Sequence, residues 1–258
     1  MLSEFLKKRW TSSGINKNDK ILLHSSLKRT FKEILGEGFK FEPKDILESL
    51  IDLVLPNGTL LLPTFNYKFN EGERYDYFKT QSQMGIVTEI ARQDPRATRT
   101  LNPVYSFAAF GKDSLKFKDI DNESWYSKDS PFFIVHQDNY KICILDLRER
   151  NSQTFAHYCE EYFQVPWRYY KKFTCEYTDK NRKTNLKTYR GYVRKIDEGV
   201  ETTLDPAGEL LWKKGKFFGN KPFVKNGLRY VHSQDYFDLF EELYENKKSS
   251  PYYYKISS

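Results

Sequence analysis

Short apolar runs alternate with amphipathic stretches along the first two thirds of this chain. Ser3 to Ser12 has the spacing of a short amphipathic helix, ended by Gly14. Lys20–His24 carries Ile21, Leu22 and Leu23 and predicts a short buried strand, with Ser25–Ser26–Leu27–Lys28 following at once. Pro43 suits the start of a helix over 45–54, in which Ile46, Leu47, Leu50, Ile51 and Val54 are the apolar positions. Pro56–Asn57–Gly58 is a turn into a second buried strand, Thr59–Leu62, stopped by Pro63. Met84 to Arg92 predicts another helix, and Tyr105 to Phe110 a third apolar strand closed by Gly111. Ser130–Pro131 opens a short helix to His136, Lys141 to Leu147 is a fourth strand, and Thr154 to Phe163 has helical period. Strands that alternate with helices predict an α/β fold with a mixed, partly parallel central sheet flanked by helices.

The pattern changes after Pro166. Phe173 to Lys195 alternates polar and apolar residues around Thr178–Asp179–Lys180–Asn181, which predicts a basic antiparallel β hairpin inserted in the C-terminal half. Ser233 to Asn246 predicts an acidic amphipathic helix with Ser233 as its N-cap. The chain thus divides into an α/β core over 1–165 and a region over 166–258 that packs with it as one unit.

Composition narrows the function classes. The 258 residues include 17% aromatics, which is incompatible with a disordered chain. No apolar run reaches the roughly 18 residues a membrane span needs. Three cysteines are too few for a disulfide scaffold. The charged start, with Glu4, Lys7, Lys8 and Arg9, is no secretory signal, so a cytoplasmic protein with reduced thiols is expected. The net charge of +7 is concentrated: 165–195 holds ten basic residues against Glu176 and Asp179, and the remainder is close to neutral. A local excess of this kind attracts an anion. Nucleic acid is the weaker choice, because no recognition helix or RNA-binding motif accompanies the basic stretch.

Two segments could carry chemistry. His24–Ser25–Ser26–Leu27–Lys28 leaves the first strand, where free backbone N–H groups and small hydroxyl residues admit an anionic group and Lys28 adds charge. On spacing alone the same serines are better read as capping a turn. Thr154, His157 and Glu160 fall three residues apart, so a helix puts them on one face; the imidazole could accept a proton and the carboxylate orient it. A solvated helix face explains that spacing as well. The four histidines and three cysteines show no metal-ligand spacing, and Cys143, Cys159 and Cys175 read as small buried hydrophobes. Neither GxGxxG nor GxxxxGK[ST] is present.

Several ordered blocks together resemble the aminoglycoside 3-N-acetyltransferase family, also called the antibiotic N-acetyltransferase superfamily. They are Leu23–Leu27, Gly58–Leu60 with Pro63–Phe65, Gly85–Arg92, Arg99–Pro103, Ser106–Gly111, Ser130–Pro131 and Thr154–His157–Glu160, spanning about Ile15 to Phe163. Asn102, Asp146 and the Asn151–Ser152–Gln153 run depart from the family pattern, and nothing after Pro166 matches it. The resemblance implies an acyl-CoA-dependent N-acyltransferase acting on an amine-bearing sugar, with acetyl-CoA as cosubstrate and no metal. It implies His157 as base, Glu160 and Thr154 as its partners, and Ser25, Ser26, Leu27, Lys28, Thr64, Arg99 and Ser106 on the coenzyme A side. Thr64 and Thr154 are the candidates for a donor to the reacting carbonyl or the leaving thiolate. The basic 167–195 stretch makes a nucleotide-linked amino sugar, of the kind used in surface polysaccharide synthesis, the expected acceptor. An aminoglycoside is the alternative, a nucleic-acid-binding protein a distant third, and a homodimer stays open.

Overall fold

The structure is a computed structural model that describes residues 1–256. In chain order its elements are α1 (Leu2–Thr11), β1 (Lys20–Ser25), α2 (Lys28–Gly36), α3 (Pro43–Val54), β2 (Thr59–Pro63), β3 (Tyr75–Asp76), α4 (Ile86–Gln93), β4 (Thr98–Arg99) and β5 (Phe107–Gly111). Then come α5 (Pro131–Gln137), β6 (Lys141–Leu145), α6 (Phe155–Tyr162), β7 (Arg168–Thr178), β8 (Thr184–Arg194), β9 (Val200–Thr202) and α7 (Asp205–Lys213). The last are β10 (Phe218–Gly219), β11 (Leu228–His232), α8 (Ser233–Glu245), α9 (Ser249–Tyr252) and β12 (Tyr254–Ile256).

The main sheet has the order β10-β11-β6-β1-β2-β5-β4. Only its centre is parallel: β1 pairs with β2 and with β6 in parallel, whereas β11, β5, β4 and β10 join antiparallel. The expected mixed, partly parallel sheet is the one observed. Its central strands are apolar throughout because both faces are covered. Leu22, Leu61, Ile142 and Ile144 point into a core shared with α5, α6, α8 and the hairpin. Ile21, Leu23, Leu60, Leu62 and Cys143 point the other way, toward α1, α3 and α4. The parallel centre sets the location of the site, since β1, β2 and β6 all end on one edge and the loops that leave them meet there.

The hairpin β7–β8 pairs over its whole length, from Arg168 opposite Arg194 to Thr178 opposite Thr184. Two local readings need correction. Ser233 is the first residue of α8 and not its cap; its hydroxyl donates to Val135 O at 2.8 Å, and His232 holds the N-cap position. The segment that leaves the first strand runs straight into a helix absent from the sequence reading: Leu27 is the N-cap of α2, whose Thr30 and Ile34 are buried. β10 and β11 bring residues from the 166–258 half into the same sheet as β6.

Half of the basic residues in the 165–195 stretch have carboxylate partners. Asp119, Asp121 and Glu123 run beside it and pair with Lys180, Lys187 and Arg190. Glu198 takes Lys195 and Glu160 takes Arg168. These five carboxylates all lie outside 165–195, so a count over that stretch alone overstates its field.

Candidate active site

Thr154 is the N-cap of α6, and its carbonyl accepts the His157 backbone N–H at 2.9 Å. One turn on, His157 Nδ1 lies 2.7 Å from Glu160 Oε2. Glu160 is buried at 1% exposure and its other oxygen accepts the Trp167 indole N–H at 2.8 Å. Arg168, the first residue of β7, completes the cluster. Its Nε is 2.7 Å from Glu160 Oε2, close enough for an ion pair although its N–H does not point at the oxygen. Its Nη1 donates to Tyr192 O at 2.9 Å, which fixes the guanidinium on the hairpin.

Arg168 Nη2 also stands 2.9 Å from His157 Nδ1. Nδ1 cannot donate to the carboxylate and accept from the guanidinium at once. The charged carboxylate is the better acceptor, so Nδ1 carries the proton and Nε2 is left free as an acceptor. Burial and the nearby Arg168 charge push the His157 pKa below the usual 6.5, against the pull of Glu160. The imidazole is therefore neutral at pH 7. Burial alone would raise the Glu160 carboxyl, but Arg168 and the hydrogen bonds from His157 and Trp167 hold it at about 2. A neutral base is thus backed by a permanently charged carboxylate.

One cavity adjoins, through Met84, two others that meet at His157. The first, about 420 Å³, is lined by Ser25, Ser26, Leu27 and Lys28 on one side and Met84 to Val87 on the other. Two helix N-termini open on it, those of α2 and α4, and their free N–H groups favour an anion. Gly85 caps α4 at φ 108°, a conformation that suits glycine. The second cavity, about 310 Å³, shares Met84 with the first and is lined by His24, Gln153, Thr154 and His157. The third, about 530 Å³, shares His157, Tyr105 and Arg150 with the second and is walled by Trp125, Phe173 and Arg194. His157 is 20% exposed and faces two of the three.

The remaining predicted residues lie apart. Thr64 and Ser106 are buried and bonded to each other at 2.9 Å, and Ser106 also donates to Thr64 O. Arg99 turns to Tyr77, bonding its carbonyl at 2.8 Å and stacking on its ring. None of the three lines these cavities. Cys143, Cys159 and Cys175 are buried and unpaired, and burial drives the Cys143 and Cys159 thiols far up, so neither is a nucleophile. Among the described residues no cluster of His, Cys, Asp or Glu is placed to hold a metal ion, and no helix is long and apolar enough to cross a membrane.

Trp167, Arg168 and the tyrosines at 67, 105 and 126 do not appear among the sequence candidates. The three tyrosine rings pack in a row, 5.7 and 4.8 Å apart, and Tyr126 lies 5.6 Å from the His157 ring.

A family model described as aminoglycoside 3-N-acetyltransferase matches residues 22–245. The chain belongs to that family. The match continues past Phe163 through the hairpin and α8, so the half that resembled nothing is family sequence too. Solved structures share the fold at low identity. YokD from Bacillus subtilis is 18% identical with a TM-score of 0.76, covering 96% of this chain and 94% of that one. The AAC-IIIb binary complex with CoASH is 16% identical with a TM-score of 0.79, covering 96% and 98%. Aminoglycoside acetyltransferase AAC(3)-Xa is 17% identical with a TM-score of 0.77, covering 95% and 92%. No curated protein matches the sequence.

The departures from the family pattern have structural counterparts. Asp146 follows β6 at φ 51°, the left-handed region in which glycine is usual and Asp is tolerated. Its carboxylate accepts Arg29 Nη1 at 2.9 Å and so ties the end of β6 to α2. Asn102 is buried and accepts the N–H groups of Val104 and Tyr105, each at 3.0 Å.

Proposed function

We propose that the chain transfers an acetyl group from acetyl-CoA to the amine of an amino sugar, with His157 as general base. The observation that carries this is the imidazole itself: neutral, Nδ1 tied to a buried carboxylate, facing the cavities between the Ser25–Lys28 mouth and the Arg194 mouth. The Ser25–Lys28 cavity suits the coenzyme A diphosphate, because two helix N-termini and Lys28 offer N–H groups and charge to an anion. The arm then runs past Met84 toward His157. As the amine nitrogen bonds to the acetyl carbon, His157 Nε2 takes the proton that nitrogen loses. The carbon–sulfur bond breaks and the imidazolium hands that proton to the leaving thiolate, which returns His157 to its neutral form. Glu160 stabilises the imidazolium formed in that step. Residues 1–165 supply the coenzyme side, and the 166–258 region closes the acceptor side.

Family membership favours an aminoglycoside-type amino sugar as the acceptor. The nucleotide-linked acceptor loses its main support, since the carboxylates beside the hairpin offset half of its basic residues. One observation favours a second reading, an amino sugar that carries an anion. Among the described residues, Arg194 lines the third cavity without a carboxylate partner, beside Arg150 and Arg168, which are paired with Asp205 and Glu160, and no carboxylate lines the cavity itself. A polycation would find no partner there. The test is thiol release from acetyl-CoA with a panel of aminoglycosides and of amino sugars bearing phosphate or carboxylate, each at low and moderate salt. Aminoglycoside turnover supports the first reading. Turnover of the anionic sugars alone, with a KM that rises with salt, supports the second. No turnover with any amine sinks both.

A further inference from the structure

The loop before α6 has buried polar side chains that are paired. Ser152 donates to Arg148 O at 2.8 Å, and Glu149 holds Arg229 at 2.7 Å. Gln153 stands out, because both of its side-chain polar atoms are left over. Its side chain is buried, the residue being 1% exposed, and neither its amide oxygen nor its amide nitrogen has a hydrogen-bond partner. His24, 5% exposed, leaves Nε2 unpartnered as well. Both residues line the second cavity, between the Ser25–Lys28 mouth and His157. Buried donors and acceptors are costly to leave unpaired, so a protein that keeps three together around one cavity has a polar guest for them.

The backbone shows that Gln153 is held there. Its N–H donates to Glu149 O at 2.9 Å, and Glu149 is anchored by the fully buried Arg229 of β11. The loop backbone is thus tied to β11, the strand that pairs with β6.

A primary amide offers one donor and one acceptor side by side. A trans secondary amide points its N–H and its C=O in opposite directions, so Gln153 can meet one of them from one side while His24 Nε2 meets the other. We propose that Gln153, with His24 beside it, recognises an amide of the pantetheine arm of coenzyme A and so sets how far the thioester reaches toward His157. This rests on the coenzyme A placement given under Proposed function. The cavity's place between the Ser25–Lys28 mouth and His157 favours the arm over an acceptor sugar, which enters from the Arg194 side. Burial keeps His24 neutral, with its pKa lowered to about 4, so Nε2 can serve as donor or acceptor to the same arm.

The test is calorimetry on the full chain with two ligands. One is coenzyme A; the other is adenosine 3′,5′-bisphosphate, which has the nucleotide end and no arm. Gln153→Met should weaken coenzyme A about tenfold, the scale of one or two neutral hydrogen bonds, and leave the bisphosphate within about twofold. The ligand-free melting temperature should hold or rise, because the variant removes two orphaned polar atoms; a purely structural glutamine would lower it. Should the variant fold poorly, a coenzyme A analogue N-methylated on the arm amide, tested on the unaltered protein, should lose a similar factor. Unchanged coenzyme A affinity in the variant, or equal weakening of both ligands, overturns the proposal. If the unaltered protein binds neither ligand, the coenzyme A placement falls and this inference with it.

Discussion

Glu160→Gln isolates what the buried carboxylate does, because the amide keeps the size and one acceptor oxygen while losing the charge. In the native site Glu160 meets three groups at 2.7–2.8 Å: His157 Nδ1, Arg168 Nε and Trp167 Nε1. Two effects follow. In the reaction, the imidazolium loses a charge-assisted hydrogen bond of about 1.5–3 kcal/mol, so kcat should fall about 10- to 150-fold. In the fold, Arg168 is left as a buried charge without its counter-ion, which costs about 3–5 kcal/mol of stability. The pH profile separates the two. His157 works as the neutral form and its pKa already lies below 6.5, pulled up only by Glu160. Without the carboxylate, Arg168 is unopposed and the His157 pKa falls further. The acid limb of kcat/KM should therefore move to lower pH while the plateau drops. The assay is acetyl transfer from pH 4.5 to 8 at saturating acetyl-CoA, beside a chemical denaturation curve. A plateau within twofold of wild type, or an acid limb that moves up in pH, would refute the role given to Glu160.

Two further substitutions probe the frame. Lys28→Glu reverses an exposed charge at the helix-lined cavity and should weaken coenzyme A several-fold at low salt; by calorimetry the gap should narrow as salt is added. An affinity that is equal at every ionic strength would move the diphosphate elsewhere. Gly227→Ala should cost about 2–4 kcal/mol, since φ there is 65° and a Cβ would fall 1.8 Å from Asp146 Oδ1, breaking the Asp146–Arg29 link. A loss of under about 0.5 kcal/mol would mean the turn relaxes freely.

The sheet centre was legible because β1, β2, β5 and β6 are short apolar runs bounded by Pro, Gly or charge, and both their faces are covered. The hairpin was legible from its alternation. β11 was not, because Arg229 interrupts Leu228–His232, and only its pairing with Glu149, eighty residues earlier, makes a buried arginine tolerable. α2 was hidden by the serines before it. In the site, the i, i+3 spacing of His157 and Glu160 was visible on one helix. Their partners were not: Trp167 and Arg168 come from β7 and the residue before it, and they read as members of a basic stretch until the fold sets them against α6. Charge was the weakest guide. Counting 165–195 alone misses Asp119, Asp121 and Glu123, which precede the hairpin by some fifty residues and lie against it in space.

The central claim is that His157 is the base for acetyl transfer to an amine. The most direct measurement is kcat for His157→Asn on the best acceptor of the panel, with product N-acetylation confirmed by mass spectrometry and coenzyme A affinity measured on the same sample. The account predicts a loss of about 10²-fold or more in kcat, the scale of general base catalysis, with coenzyme A binding within about twofold of wild type. Turnover within a few-fold of wild type would contradict it.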